Sequence, residues 1–166
     1  MKFVEEINDI ASQLPIPVKA RPEQVASMYA VLASKHKRTF MQQPTGTGKS
    51  LMFGLMARHV NLERGVKVVV VVPNEVLAAV QQDKYCPLAS RISDNLFDKD
   101  AKEVFYCTYD DFITGGIPLD AIVFVDEIDA LIFSDKPEVR GTKLISAILL
   151  LNKYEVIGMT ATFRGD

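Results

Sequence analysis

Phe3, Ile7, Ile10, Ala11 and Leu14 recur at steps of three and four residues, the period of a helix with one apolar face. Pro15 and Pro17 break that pattern, so residues 1–18 are expected to form a short N-terminal helix and an extended connector. A second helical pattern starts at Pro22, a residue suited to a first helical turn, and runs through Val25, Met28, Tyr29 and Leu32. It leads into a basic stretch, Lys35 to Arg38, whose cations suit the C-terminal end of a helix.

From Thr39 onward, short apolar runs alternate with helical patterns. Strands are expected at Thr39–Gln42, Val66–Val72, Val104–Thr108, Ala121–Val125 and Val156–Met159, and helices at Ser50–Leu62, Glu75–Asp83 and Lys143–Leu151. The stretch from Cys86 to Lys102 is polar and carries no clear period. Continuous Val and Ile runs mark strands covered on both faces, and intervening helices mark parallel connections. The expected fold is α/β, a three-layer α/β/α sandwich with a mostly parallel sheet.

Composition narrows the class. A chain of 166 residues, 48% hydrophobic and 24% charged, has the makings of one packed domain and is neither disordered nor collagenous. Cys86 and Cys107 are its two cysteines, which form neither a zinc pattern nor a disulfide framework and fit a reducing, cytoplasmic or nuclear, setting. Glu5, Glu6 and Asp9 stand where an export signal would be basic and then apolar. The run Val68–Val72 is far short of the roughly 20 residues that span a bilayer. His36 and His59 have no neighbours of metal-ligand spacing and are expected at the surface, and Phe105, Tyr106 and Tyr109 as core or strand-edge aromatics.

Two segments carry chemistry. QQPTGTGKS, Gln42 to Ser50, lies between an expected strand and an expected helix, the setting in which such a string binds phosphate. Gly46 and Gly48 let backbone N–H groups turn toward an anion, and the following helix adds its positive end. Lys49 is placed to reach the β- and γ-phosphates and the Ser50 hydroxyl to ligate Mg²⁺. The first position of the usual G-x-x-x-x-G-K-[ST] string is Gln43 rather than glycine. IVFVDEID, Ile122 to Asp129, delivers carboxylates at the end of a buried strand, where open α/β sheets bind ligands. Asp126 suits the holding of Mg²⁺ and Glu127 the orientation of an attacking water.

With these two segments in order, the chain resembles the N-terminal RecA-like domain of a superfamily 2 helicase or translocase. Thr45 to Ser50 matches the family's TGxGKS/T, and Asp126 to Asp129 its DExD/H signature. Gln24 in RPEQ matches an upstream adenine-reading glutamine, Pro73 to Ala78 (PNEVLA) a segment like PTRELA, and Thr160, Ala161 and Thr162 the downstream S/TAT. The resemblance covers Lys19 to Phe163. It implies ATP or ADP and Mg²⁺ bound by Gln24, Thr45, Gly46, Thr47, Gly48, Lys49 and Ser50. It also implies Lys49, Asp126 and Glu127 as catalytic residues, with Ser50 and Asp126 on the metal. Asp129, Thr160 and Thr162 would couple the nucleotide to a facing domain. Residues 19–166 would be the ATP-binding domain.

The departures concern the track along which such a motor moves. Glu75 and Val76 stand where helicases carry an arginine, and Asp110 and Asp111 lie in the next candidate contact loop. Acids repel phosphates, and the net charge of −2 adds no general attraction, so weak binding of nucleic acid by this domain alone is expected. The SecA protein translocases offer a related pattern, with GMTGT where this sequence has GMTAT; a polypeptide track is the alternative, and a nucleotide-binding module without turnover a third reading. Motors of this kind place a second RecA-like domain, the source of arginine fingers, after the TAT segment. The chain is therefore expected to be one domain of a longer motor, able to bind nucleotide and slow to hydrolyse it.

Overall fold

The computed structural model describes residues 2–43, 48–87, 89–91, 103–114, 116–128 and 152–160. Its helices are α1 (Lys2–Ser12), α2 (Pro22–Leu32), α3 (Lys49–Arg64), α4 (Glu75–Tyr85) and α5 (Tyr109–Thr114). Its strands are β1 (Arg38–Gln42), β2 (Val68–Val72), β3 (Ser90–Arg91), β4 (Val104–Thr108), β5 (Ile122–Asp126) and β6 (Glu155–Thr160). The expected helix at Lys143–Leu151 lies outside the described residues.

The six strands form one sheet in the order β1-β6-β5-β2-β4-β3, and every pairing is parallel. All strands therefore end on the same edge. The central strands are apolar on both faces because both are covered: β2 and β5 are buried at every position. Alternation sorts their side chains into two cores. Val68, Val70, Val72, Ile122 and Phe124 pack with Met52, Phe53 and Met56 of α3, Ala78 of α4, and Ile7 and Ala11 of α1. Val69, Val71, Val123 and Val125 pack on the other face with Phe112 of α5, Ile117 and Tyr154. The chain is thus the expected α/β/α sandwich.

Helix α3 packs against α1, α2 and α4 and against β2, β4 and β5. Gly54 brings it close to the last turn of α4, since a Cβ there would stand 2.6 Å from Cβ of Tyr85. At its far end Arg64 bridges both carboxylate oxygens of Glu155 on β6, at 3.1 and 3.2 Å. The N-terminal helix shares the α3 core: His59, which is buried, approaches Glu6 at 3.5 Å and Glu63 at 2.6 Å, and Phe3 meets its ring edge-on at 5.1 Å.

Several expectations are corrected. His59 is not a surface residue, because α1 folds over it, and it has carboxylate neighbours; His36 is exposed. The basic stretch does not end α2, which stops at Leu32 with no basic residue in its last turn. Instead Arg38 opens β1 and its guanidinium donates to the Asn152 carbonyl. Strand β3, two residues long, falls in the stretch that showed no period, and α5 was not expected.

Candidate nucleotide site

The sheet edge where the strands end collects the residues singled out by sequence. Strand β1 ends at Gln42, and Gln43 donates its N–H to the carbonyl of Thr160 at 3.0 Å, joining this strand to the end of β6. Thr45, Gly46 and Thr47 of the phosphate-loop string lie outside the described residues, as do Asp129 and Thr162. The loop's exit is described. Gly48 is the N-cap of α3 with φ 80°, a left-handed conformation that costs a residue with a Cβ about 1–2 kcal/mol. Lys49 and Ser50, both half-buried, form the first turn of α3, where the helix leaves its backbone donors and positive end unpaired by its own carbonyls.

Gln24 is buried beside Gly48. Its Oε1 accepts the N–H of Arg21 at 2.9 Å, closing the first turn of α2. Its Nε2 lies 2.6 Å from where a Cβ on Gly48 would stand. The glutamine is thereby held against Gly48, with one lone pair of its carbonyl engaged by the helix start.

Asp126 is the last residue of β5. Alternation points it to the face of Ile122 and Phe124, the face on which α3 and α4 pack, and it is 4% exposed. The Nε2 of Gln81, on α4, donates to Asp126 Oδ2 at 2.9 Å. Glu127 follows with its side chain exposed and φ 50°. The Tyr109 hydroxyl lies 2.8 Å from the Asp126 carbonyl and 2.9 Å from that of Glu127. Beneath Asp126 the Tyr106 phenol is fully buried, and burial, then Cys86, then Asp126 itself push its pKa well above the usual value. Thr160 ends β6, buried, on the opposite face from Met159.

The structure thus brings Gln24, Gly48, Lys49, Ser50, Asp126, Glu127 and Thr160 to one edge. Sequence reasoning missed Gln81 and Tyr109. Gln81 carried a faint signal, a polar residue in the buried stripe of α4 that includes Ala78. Tyr109 could have been placed from Thr108 and Asp111, a reciprocal cap in which Thr108 Oγ1 accepts the Asp111 N–H at 3.2 Å and Asp111 Oδ2 accepts the Thr108 N–H at 3.3 Å. That cap also revises Asp111: its carboxylate is engaged in starting α5. A cavity of about 110 Å³ lined by Thr39, His59, Glu63, Ile122 and Ile157 sits where strands begin, at the other end of the sheet.

The donor set fits the groups that the motifs imply. A hydroxyl and a carboxylate are hard oxygen ligands of the kind Mg²⁺ takes, and a lysine beside a helix N-terminus suits phosphate. Sequence comparison decides the family: the model for the DEAD/DEAH box helicases matches residues 21–166. The chain belongs to the DEAD/DEAH box helicase family. Solved structures share its fold. The UvsW helicase from bacteriophage T4 superposes with a TM-score of 0.65 at 18% identity, covering 97% of this chain and 61% of that one. The Sulfolobus solfataricus SWI2/SNF2 ATPase core in complex with dsDNA gives 0.64 at 17% identity, over 88% of this chain and 32% of that one. S. cerevisiae Dbp5 bound to RNA and ADP BeF3 gives 0.53 at 20% identity, over 86% and 45%. The chain therefore spans less than two thirds of each. No curated protein sequence matches it. The family assignment favours the helicase pattern over the SecA-like alternative, and no described helix is long and apolar enough to cross a membrane.

Proposed function

We propose that this DEAD/DEAH-family chain is the ATP-binding domain of a helicase-like motor that couples Mg-ATP hydrolysis to movement on, or remodelling of, nucleic acid. Residues 19–166 form that domain and residues 1–18 its N-terminal helix and connector. The observation that carries the reading is the meeting, at one sheet edge, of the α3 N-terminus with Lys49, the glutamine packed on Gly48, and the buried Asp126 followed by Glu127.

Each residue then has a task that its position allows. Lys49 and the first N–H groups of α3, with Thr45, Gly46, Thr47 and Gly48, bind the phosphates. Gln24 offers its amide to the adenine edge. Ser50 and Asp126 hold Mg²⁺, which when bound supplies charge neutralisation on the phosphate oxygens. Glu127, exposed beside Asp126, orients the attacking water. Asp129, Thr160 and Thr162 link the site to a second RecA-like domain, which contributes an arginine finger. Nucleic acid binds weakly to this domain alone and is clamped between the two.

Calorimetry with ADP and Mg²⁺ tests the reading. Lys49→Ala should weaken binding by about 1.5–3 kcal/mol through loss of a charge-assisted contact, and Glu127→Gln should leave it intact. Equal affinities of wild type and Lys49→Ala would refute the site. For the track, the measurement is ATPase stimulation of a two-domain form by single-stranded RNA, single-stranded DNA and unfolded polypeptide. Stimulation by polypeptide alone would overturn the nucleic-acid reading.

A further inference from the structure

We propose that Gln81 is a positioning residue for the carboxylate of Asp126, orienting it toward Mg²⁺ without neutralising it. The inference rests on the reading of Asp126 as a metal-holding residue.

Gln81 is 4% exposed and lies in the stripe of α4 that covers the sheet, where Ala78 and Leu77 pack into the apolar core. An apolar side chain would satisfy that place. The amide instead spends its Nε2 on Asp126 Oδ2, at 2.9 Å and 45 positions away in the chain. Its orientation is fixed, because an ionised carboxylate accepts and never donates, so the nitrogen must be the atom that faces it. Among the described residues, Gln81 Oε1 and the Tyr106 hydroxyl are buried with no hydrogen-bond partner. Buried polar atoms of this kind destabilise a fold. The position thus holds a polar group at the expense of packing, and the contact it gains is with the carboxylate at the end of β5.

The identity of the donor matters. A lysine or arginine in this position would hold Asp126 more strongly but would cancel the charge that attracts a divalent cation. A neutral amide fixes the plane of the carboxylate and leaves its charge in place. Partners of this kind, standing behind a metal-holding group, typically change metal affinity by about 10–100-fold when removed.

The test titrates Mg²⁺ against the 166-residue chain with a fluorescent ADP analogue. Each variant is also measured with the analogue alone in chelator. Gln81→Met keeps the length and removes the donor; it should raise the Mg²⁺ midpoint about 10-fold while leaving metal-free affinity unchanged. Gln81→Asn keeps the amide but withdraws it by one methylene, and should shift the midpoint in the same direction if the methionine variant does not fold, as judged by circular dichroism. Asp126→Asn is the reference. If it raises the midpoint and neither Gln81 variant does, the positioning role is overturned and the Asp126 reading stands. A Gln81 variant that weakens metal-free and Mg²⁺-dependent binding equally marks a purely structural residue and also overturns it. An unchanged midpoint in Asp126→Asn removes the metal reading of Asp126 and the inference with it.

Discussion

The Tyr109 hydroxyl lies 2.9 Å from the carbonyl oxygen of Glu127, which among the described residues is the non-glycine with positive φ. A backbone turned this way is disfavoured by about 1–2 kcal/mol for a residue with a Cβ, and the tyrosine, fixed at the start of α5, holds the carbonyl that the turn presents. Tyr109→Phe should lower unfolding free energy by about 1 kcal/mol. Glu127→Gly should be at least as stable as wild type in urea denaturation, because glycine tolerates the turn, and Glu127→Val clearly less so. A destabilised Glu127→Gly would show that the turn carries no strain.

Gly48 has two separate reasons to be glycine, its φ and the Gln24 amide against it. Gly48→Ala should therefore lower both thermal stability and ADP affinity. Adding Gln24→Ala removes the steric conflict and leaves the dihedral cost, so the double variant should be more stable than the sum of the two single losses. Strict additivity in the double-mutant cycle would mean that the two residues do not touch.

Helix α4 begins at Asn74, whose side chain accepts the Leu77 N–H at 3.0 Å. Asn74→Ala should cost about 1 kcal/mol. Because α4 carries Gln81, the loss should also raise the Mg²⁺ concentration needed for nucleotide binding, by less than Gln81→Met does. Chemical denaturation and the Mg²⁺ titration check the two halves.

The fold was legible in the sequence where burial is continuous. Val68–Val72 and the run ending at Asp126 have side chains apolar on both faces, and that demands a covered parallel strand. The glycine-lysine string and the paired acids stand out in the sequence because the chemistry proposed for them constrains residue type and spacing together. What stayed hidden depends on neighbours distant in the chain. Strand β3 exists because β4 offers it an edge, not because Ser90 and Arg91 prefer extension. His59 is buried because α1 folds across it, which no periodicity around residue 59 foretells. The contact of Gln81 with Asp126 joins two elements whose register only the assembled sheet sets.

The cysteines give a pH prediction. Burial, opposed by Arg58 and a hydrogen bond from the Ala89 backbone, pushes the Cys86 thiol up to about 11, and burial, with Asp111 and Glu75 adding to it, pushes Cys107 well above its usual value. At pH 8 a disulfide reagent should label neither thiol in the native chain and both in guanidinium. A folded-state pKa above the unfolded value near 9.0 means that the unfolded chain binds fewer protons in that range. Stability should therefore be full below pH 9 and fall as pH rises toward 11. Cys86→Ala should make that fall shallower; an identical slope would remove Cys86 from the account.

Strand β6 is the last described strand along the chain, yet it sits inside the sheet, between β1 and β5. Strand β1, which leads into the proposed phosphate loop, has β6 as its partner, with Arg38 beside Val156 and Gln42 beside Thr160. A nascent chain emerging from the ribosome thus presents β1 long before anything exists to pair with it. Until the segment around Thr160 has been made, the central strands can assemble but the loop strand has no place in the sheet. The proposed nucleotide site is consequently completed late in synthesis, and a nucleotide would find no site to stabilise in the partly made protein. Such distant pairing folds slowly, and an unpaired strand edge invites association with other chains, so the interval before β6 arrives is when this protein has most need of a chaperone.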